Sequence, residues 1–172
     1  MKRIVFGLWV SLVAAAALAQ QGGERNRDEP EQSRGAERLT TLPAFPKPEN
    51  LIEFYVSPLA SNRFFIDTQS VSVGPDGVVR YTLMVNAAGG ASNISFEGIR
   101  CGSGEYKIFA TGRNDGTWAG ARAGDWRPIE NKTVNGHHAV LNRDFFCPNG
   151  LPPDDAAEGV EALRRGKHPR AQ

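Results

Sequence analysis

Through most of the chain apolar residues recur at every second position, the period of a strand that lays one face against a core. In GVVRYTLMVN, Val79, Tyr81, Leu83 and Val85 share one face, and Arg80, Thr82 and Asn86 share the other. The cluster Gly74-Pro75-Asp76-Gly77 separates this run from SVSV before it, which predicts a β-hairpin over residues 70–86. NISFEGIRC sets Ile94 and Phe96 against Ser95 and Glu97, then changes phase after Gly98 so that Ile99 and Cys101 become the apolar set. A glycine at such a switch suggests a bulge. GSGEY turns the chain into a further strand, YKIFA, which runs on to the tight-turn signal Asn114-Asp115-Gly116. WRPIE and HHAVLNRDFF add short apolar runs, the second compatible with a strand or a short helix.

Only DDAAEGVEALRRGKHP reads clearly as helical. Asp154 or Asp155 can cap its start, Asp155 and Glu158 have capping-box spacing, and Arg164 and Arg165 suit the negative end of the helix dipole. Gly166 and Pro169 stop it, and Ala156, Val160 and Leu163 form one apolar stripe. The whole pattern predicts a mainly β fold: an antiparallel curved sheet, sandwich or partly closed barrel, with one C-terminal α-helix.

Residues 1–19 break the alternation. Lys2 and Arg3 precede an apolar run from Ile4 to about Leu18 and the small-residue pattern Ala17-Leu18-Ala19, the three parts of a secretory signal peptide. Cleavage is expected after Ala19. The run is short for a membrane span, and no second one of its length follows, so no span is expected in the mature chain. Residues 20–41 are polar and mixed in charge, too poor in large apolar groups to offset their ordering entropy; they are expected to form a disordered leader. Pro43, Pro46 and Pro48 then favour an extended approach to a single β-rich domain over residues 42–172. The expected location is the periplasm.

Charge and cysteine content narrow the picture further. The chain carries 20 basic and 19 acidic residues; loss of Lys2 and Arg3 with the signal leaves 18 against 19, a formal net charge of −1. That balance argues against nucleic acid as a partner. Cys101 and Cys147 are the only cysteines, and in an oxidising compartment they are expected to form one disulfide. A loop of that length contributes about 4 kcal/mol in the chain-entropy account. With no cysteine at the cleavage site, the chain is not expected to be a lipoprotein.

Two stretches offer candidate binding residues. NGHHAVLNRDFFCP places His137 beside His138, with Arg143 and Asp144 nearby. Adjacent side chains oppose each other on a strand and diverge by about 100° on a helix, so the pair lacks the spacing of a metal chelate, and neither metal nor cofactor is expected. One histidine can still serve as a base or pH-sensitive contact with Asp144 or Arg143 close to it; in the plainer arrangement one faces solvent and the other caps the sheet edge. Trp118, Arg122 and Trp126 lie in a glycine-rich stretch, where exposed rings and guanidinium groups make good platforms for glycans or proteins and buried ones plug the end of a β domain. Nucleophile signatures and phosphate-binding loops are absent, and the carboxylates Glu53, Asp67, Glu97 and Glu105 are scattered.

NLIEFYV, NRFFID, SVGPDGVVRYTL, SFEGIRC, WRPIEN, HHAVLNRDFFCP and EGVEALRRGKHP, spread from about Pro43 to Pro169, resemble the CNP-like family of small exported proteobacterial proteins named after a cryptic neisserial protein. The resemblance implies an envelope location and supplies no catalytic residue. Some of those relatives look like lipoproteins, from which this chain departs by lacking the cysteine. The expected role is a non-enzymatic module that binds an envelope protein or glycan. Two alternatives are an inhibitor of cell-wall hydrolases of the lysozyme type and a hydrolase that uses His137 or His138.

Overall fold

The computed structural model describes residues 41–121, 124–131 and 136–172. The expected signal peptide, nearly all of the expected leader and Arg122 lie outside these residues. An antiparallel, curved, unclosed sheet takes the strands in chain order: β1 (Leu51–Phe54), β2 (Arg63–Val73), β3 (Val78–Asn86), β4 (Ser92–Arg100), β5 (Glu105–Gly112) and β6 (Trp118–Gly120). A two-residue strand, β7 (Arg127–Pro128), pairs with the start of β5. Of the arrangements consistent with the sequence pattern, the curved sheet is the one formed.

The turns form where their residues require them. Between β2 and β3 the Gly74 N–H donates to the Val78 carbonyl and the Gly77 N–H to the Gly74 carbonyl, with Gly77 at φ 70°. After β5, the Asp115 carboxylate accepts from the Thr117 N–H and Gly116 takes φ 79°.

The β3–β4 register runs unbroken from Val78/Arg100 to Asn86/Ser92, so Gly98 marks no bulge against β3. The irregularity lies against β5, between Phe96 and Glu97, where Phe109 is the extra residue between Ile108 and Ala110. The change of phase in NISFEGIRC has another cause: both faces of β4 are covered. Phe96 packs on one face; Ile99 and, at the same parity, Glu97 face the other. Gly98 is needed for space, since a Cβ there would meet Phe109 and Val78 at 2.9 Å.

The HHAVLNRDFF stretch is helical. α1 (His137–Val140) continues into a π-helical turn (Leu141–Phe146), whose end donates the Cys147 N–H to the Asn142 carbonyl at 2.9 Å. α2 (Ala156–Arg165) begins at the N-cap Asp155, whose carboxylate accepts the Glu158 N–H, and ends at Gly166 with φ 77°. α1, the π-turn and α2 cover the inner face of the sheet. Phe146 packs tilted against Tyr81 at 5.1 Å, Phe145 meets Phe54 edge-on at 5.8 Å, and Leu141, Val160 and Leu163 complete the core.

The Cys101–Cys147 disulfide forms, with Cα atoms 5.2 Å apart, and joins the end of β4 to the end of the π-turn. It fastens the helical layer to the sheet at the far end of the π-turn from the histidines. Phe146 is fully buried under that layer, so Phe146→Ala is expected to lower unfolding stability in urea by about 3–5 kcal/mol. Leu59→Ala, on the exposed loop after β1, should change it by less than about 0.5 kcal/mol.

Candidate functional site

β4 places Glu97 on the inner face of the sheet, opposite Tyr81 on β3 and Ile108 on β5. Its side chain is only 3% exposed, so an ionised carboxylate there needs donors around it. Three supply them: His138 Nε2 at 2.7 Å, Ser95 Oγ at 2.5 Å and the Tyr81 hydroxyl at 3.3 Å. Burial pushes the Glu97 carboxyl up, but the hydrogen bond and charge of His138, the Ser95 hydroxyl and the charge of His137 together outweigh it, and the group sits below the usual glutamate range. Burial and the neighbouring Glu97 charge raise the Tyr81 hydroxyl well above its ordinary value, so Tyr81 stays a donor.

α1 brings both histidines over the sheet. The His138 ring stacks on Tyr106 of β5 at 3.8 Å, and the His137 ring stacks on Phe64 of β2 at 5.1 Å. The two rings lie 4.1 Å apart. The arrangement with one histidine in solvent and the other at the sheet edge is therefore corrected: both pack inward, the two diverging side chains straddling the sheet face under α1 and reaching different strands, β2 and β5. Asp144 is not their carboxylate. It pairs with Arg143, and its backbone carbonyl accepts the His168 N–H at 2.7 Å. Burial, then the charge of His138, lower His137 from 6.5 to about 4, against an opposing pull from Glu97. Its Nδ1 is buried without a hydrogen-bond partner.

A cleft of about 630 Å³ opens beside this cluster. Leu83, Val85 and Ile108 give it apolar wall, Ser92, Asn93 and Thr111 offer hydroxyl and amide groups, and His137, His138 and Glu97 line it as well. The volume lies within the range typical of small-molecule sites. Among the described residues no group of three or more histidine, cysteine or acidic side chains is placed to hold a metal ion.

The tryptophans lie away from this cleft. Trp118 donates its Nε1–H to the Pro43 carbonyl at 2.9 Å and packs against Phe45 and Phe96, which fastens the start of the described chain to the outer face of the sheet. Trp126 lies under the Arg100 guanidinium at 4.0 Å and edge-on to Phe109. Both are half-buried. Sequence reasoning singled out His137 and His138 but missed Glu97, Ser95, Tyr81 and Tyr106. The available signal was parity: Glu97 falls in step with Ile99, an inward position, and a charged residue there needs a partner.

His137 gives the fold a measurable pH dependence. Its folded value lies below 6.5, so its contribution to stability is whole above that pH and is lost as pH falls towards about 4. Glu97 is also lowered, so its contribution persists above the ordinary carboxylate range and is lost only at still lower pH, as its folded value is passed. Urea midpoints measured between pH 7 and pH 4.5 should therefore decline in the wild type and decline much less in His137→Phe, which keeps the stack on Phe64; an equal decline in both would assign it to other groups.

The CNP1-like family profile matches residues 30–164. The chain is 27% identical over 174 aligned positions to Cryptic neisserial protein 1 of Neisseria gonorrhoeae (strain ATCC 700825 / FA 1090), an alignment that covers 88% of this chain and 85% of that protein. No solved structure matches the chain. With the family profile spanning most of its length, the chain belongs to the CNP1-like family.

Proposed function

We propose that the protein is a periplasmic binding module that takes part of an envelope protein or glycan into the cleft beside His138. The observation that carries this reading is the cleft itself, about 630 Å³, with a buried carboxylate–imidazole pair in its wall. A buried charge of this kind is costly unless well paired, and such groups concentrate where a surface has to recognise something. The apolar wall gives area to a ligand, and Ser92, Asn93 and Thr111 give direction through hydrogen bonds.

The export half of the proposal rests on residues 1–19, with their basic start, short apolar run and Ala17-Leu18-Ala19 pattern. No helix among the described residues is long and apolar enough to cross a membrane. The tryptophans are weaker anchors for a partner than their exposure in a loop would have made them, since Trp118 already holds Pro43 and Phe45 and one side of Trp126 is taken by Arg100.

Affinity capture from envelope extract, read by mass spectrometry, tests the reading. Thr111 is exposed and lines the cleft, so Thr111→Trp should block the cleft without disturbing the core. Capture by the wild type is expected to fall at least tenfold in Thr111→Trp and in His138→Ala, and to survive in Trp126→Ala. Equal capture by the wild type and both cleft variants would overturn the assignment of the cleft, and loss confined to Trp126→Ala would move the site to the outer face.

A further inference from the structure

We propose that the Glu97–His138 pair makes the cleft a site of acid–base chemistry, with His138 as the base that activates water against a neutral acyl ester. This goes beyond binding, and a failure of the chemistry leaves the binding role standing. The geometry has the parts such a base requires. His138 Nε2 is committed to Glu97 at 2.7 Å, so an ionised Glu97 places the proton on Nε2 and leaves Nδ1 as the nitrogen with the free lone pair. Glu97 is itself held by Ser95 and Tyr81, which keeps the carboxylate from turning away. Tyr106 stacks under the His138 ring at 3.8 Å and His137 lies beside it at 4.1 Å, so the ring plane is held from two sides.

Exposure grades the pair in the order that base catalysis needs. The Glu97 side chain is 3% exposed and that of His138 is 12%, and both line the cleft. The carboxylate therefore orients and stabilises the imidazole while the imidazole meets the substrate. The cleft chemistry points to the substrate class: apolar wall from Leu83, Val85 and Ile108, hydroxyl and amide groups from Ser92, Asn93 and Thr111, the acidic Glu130 and no lysine or arginine among the described lining residues suit a small neutral ester rather than an anionic one.

The step balances without a cofactor. Water adds its oxygen to the acyl carbon while one of its protons passes to His138 Nδ1. The tetrahedral adduct then collapses, the bond from carbon to the leaving oxygen breaks, and His138 returns the proton to that oxygen, giving an acid and an alcohol. Glu97 remains a carboxylate throughout and acts as a positioning residue.

The test uses the oxidised chain with p-nitrophenyl acetate and p-nitrophenyl butyrate as probes, against free imidazole at equal concentration and pH. Saturable hydrolysis is expected. His138→Asn should lower kcat by about 100-fold or more. Glu97→Gln should lower kcat with little change in KM and displace the pH profile, whereas a purely structural ion pair would move only the melting temperature. Thr111→Trp, at an exposed position, should remove turnover while circular dichroism stays unchanged. Hydrolysis no faster than free imidazole, or saturable turnover that survives in folded His138→Asn or with the cleft filled by Thr111→Trp, would overturn the proposal.

Discussion

An ionised carboxylate on the core side of a sheet persists only when donors replace the water it has lost, because desolvation of an unpaired charge costs several kcal/mol. Glu97 meets that requirement with donors from three elements: Ser95 on its own strand, Tyr81 on β3 and His138 on α1. One charge thus ties two central strands to the helical layer. The aromatic rings of Tyr106 and Phe64 flank the two histidines beside it. The disulfide acts on the same layer from its other end, through the π-turn, so α1 is held at both of its approaches to the sheet.

Features specified by neighbouring residues were legible in the sequence. The β2–β3 hairpin, the Asn114-Asp115-Gly116 turn and the Asp155 cap depend on a few consecutive side chains, and each forms where its residues lie. The disulfide was legible because two cysteines allow only one intramolecular pairing. The partner of His138 was not, since Glu97 lies 41 residues away and meets it only after α1 crosses the sheet. Asp144, near in sequence, was the misleading candidate. The helical state of HHAVLNRDFF was equally hidden, because a four-residue helix followed by a π-turn has no period long enough to read.

The two faces of the sheet divide their chemistry. The inner face combines the aliphatic and aromatic core with one buried charge cluster, and the outer face carries rings overlaid by cations. Arg80 sits over Phe109 at 5.6 Å while its guanidinium pairs with Asp76, and Arg100 covers Trp126. Arg80, buried and paired with Asp76, and Arg100, half-buried over Trp126, lay their side chains on these rings, which lets Phe96 and Phe109 be covered without a second sheet. A strand buried on both sides loses its simple alternation, which is why β4 reads as a change of phase while its pairing with β3 stays regular.

The contact of Trp118 with Pro43 and Phe45 decides from which side the chain enters the fold. Phe45 lies with Phe96 and Trp118 on the outer face, whereas the cleft belongs to the inner one. Residues 43–45 are therefore held on the face of the sheet behind the cleft. The mouth beside His138 thus opens on the face that Pro43 and Phe45 leave uncovered, to molecules arriving from that side.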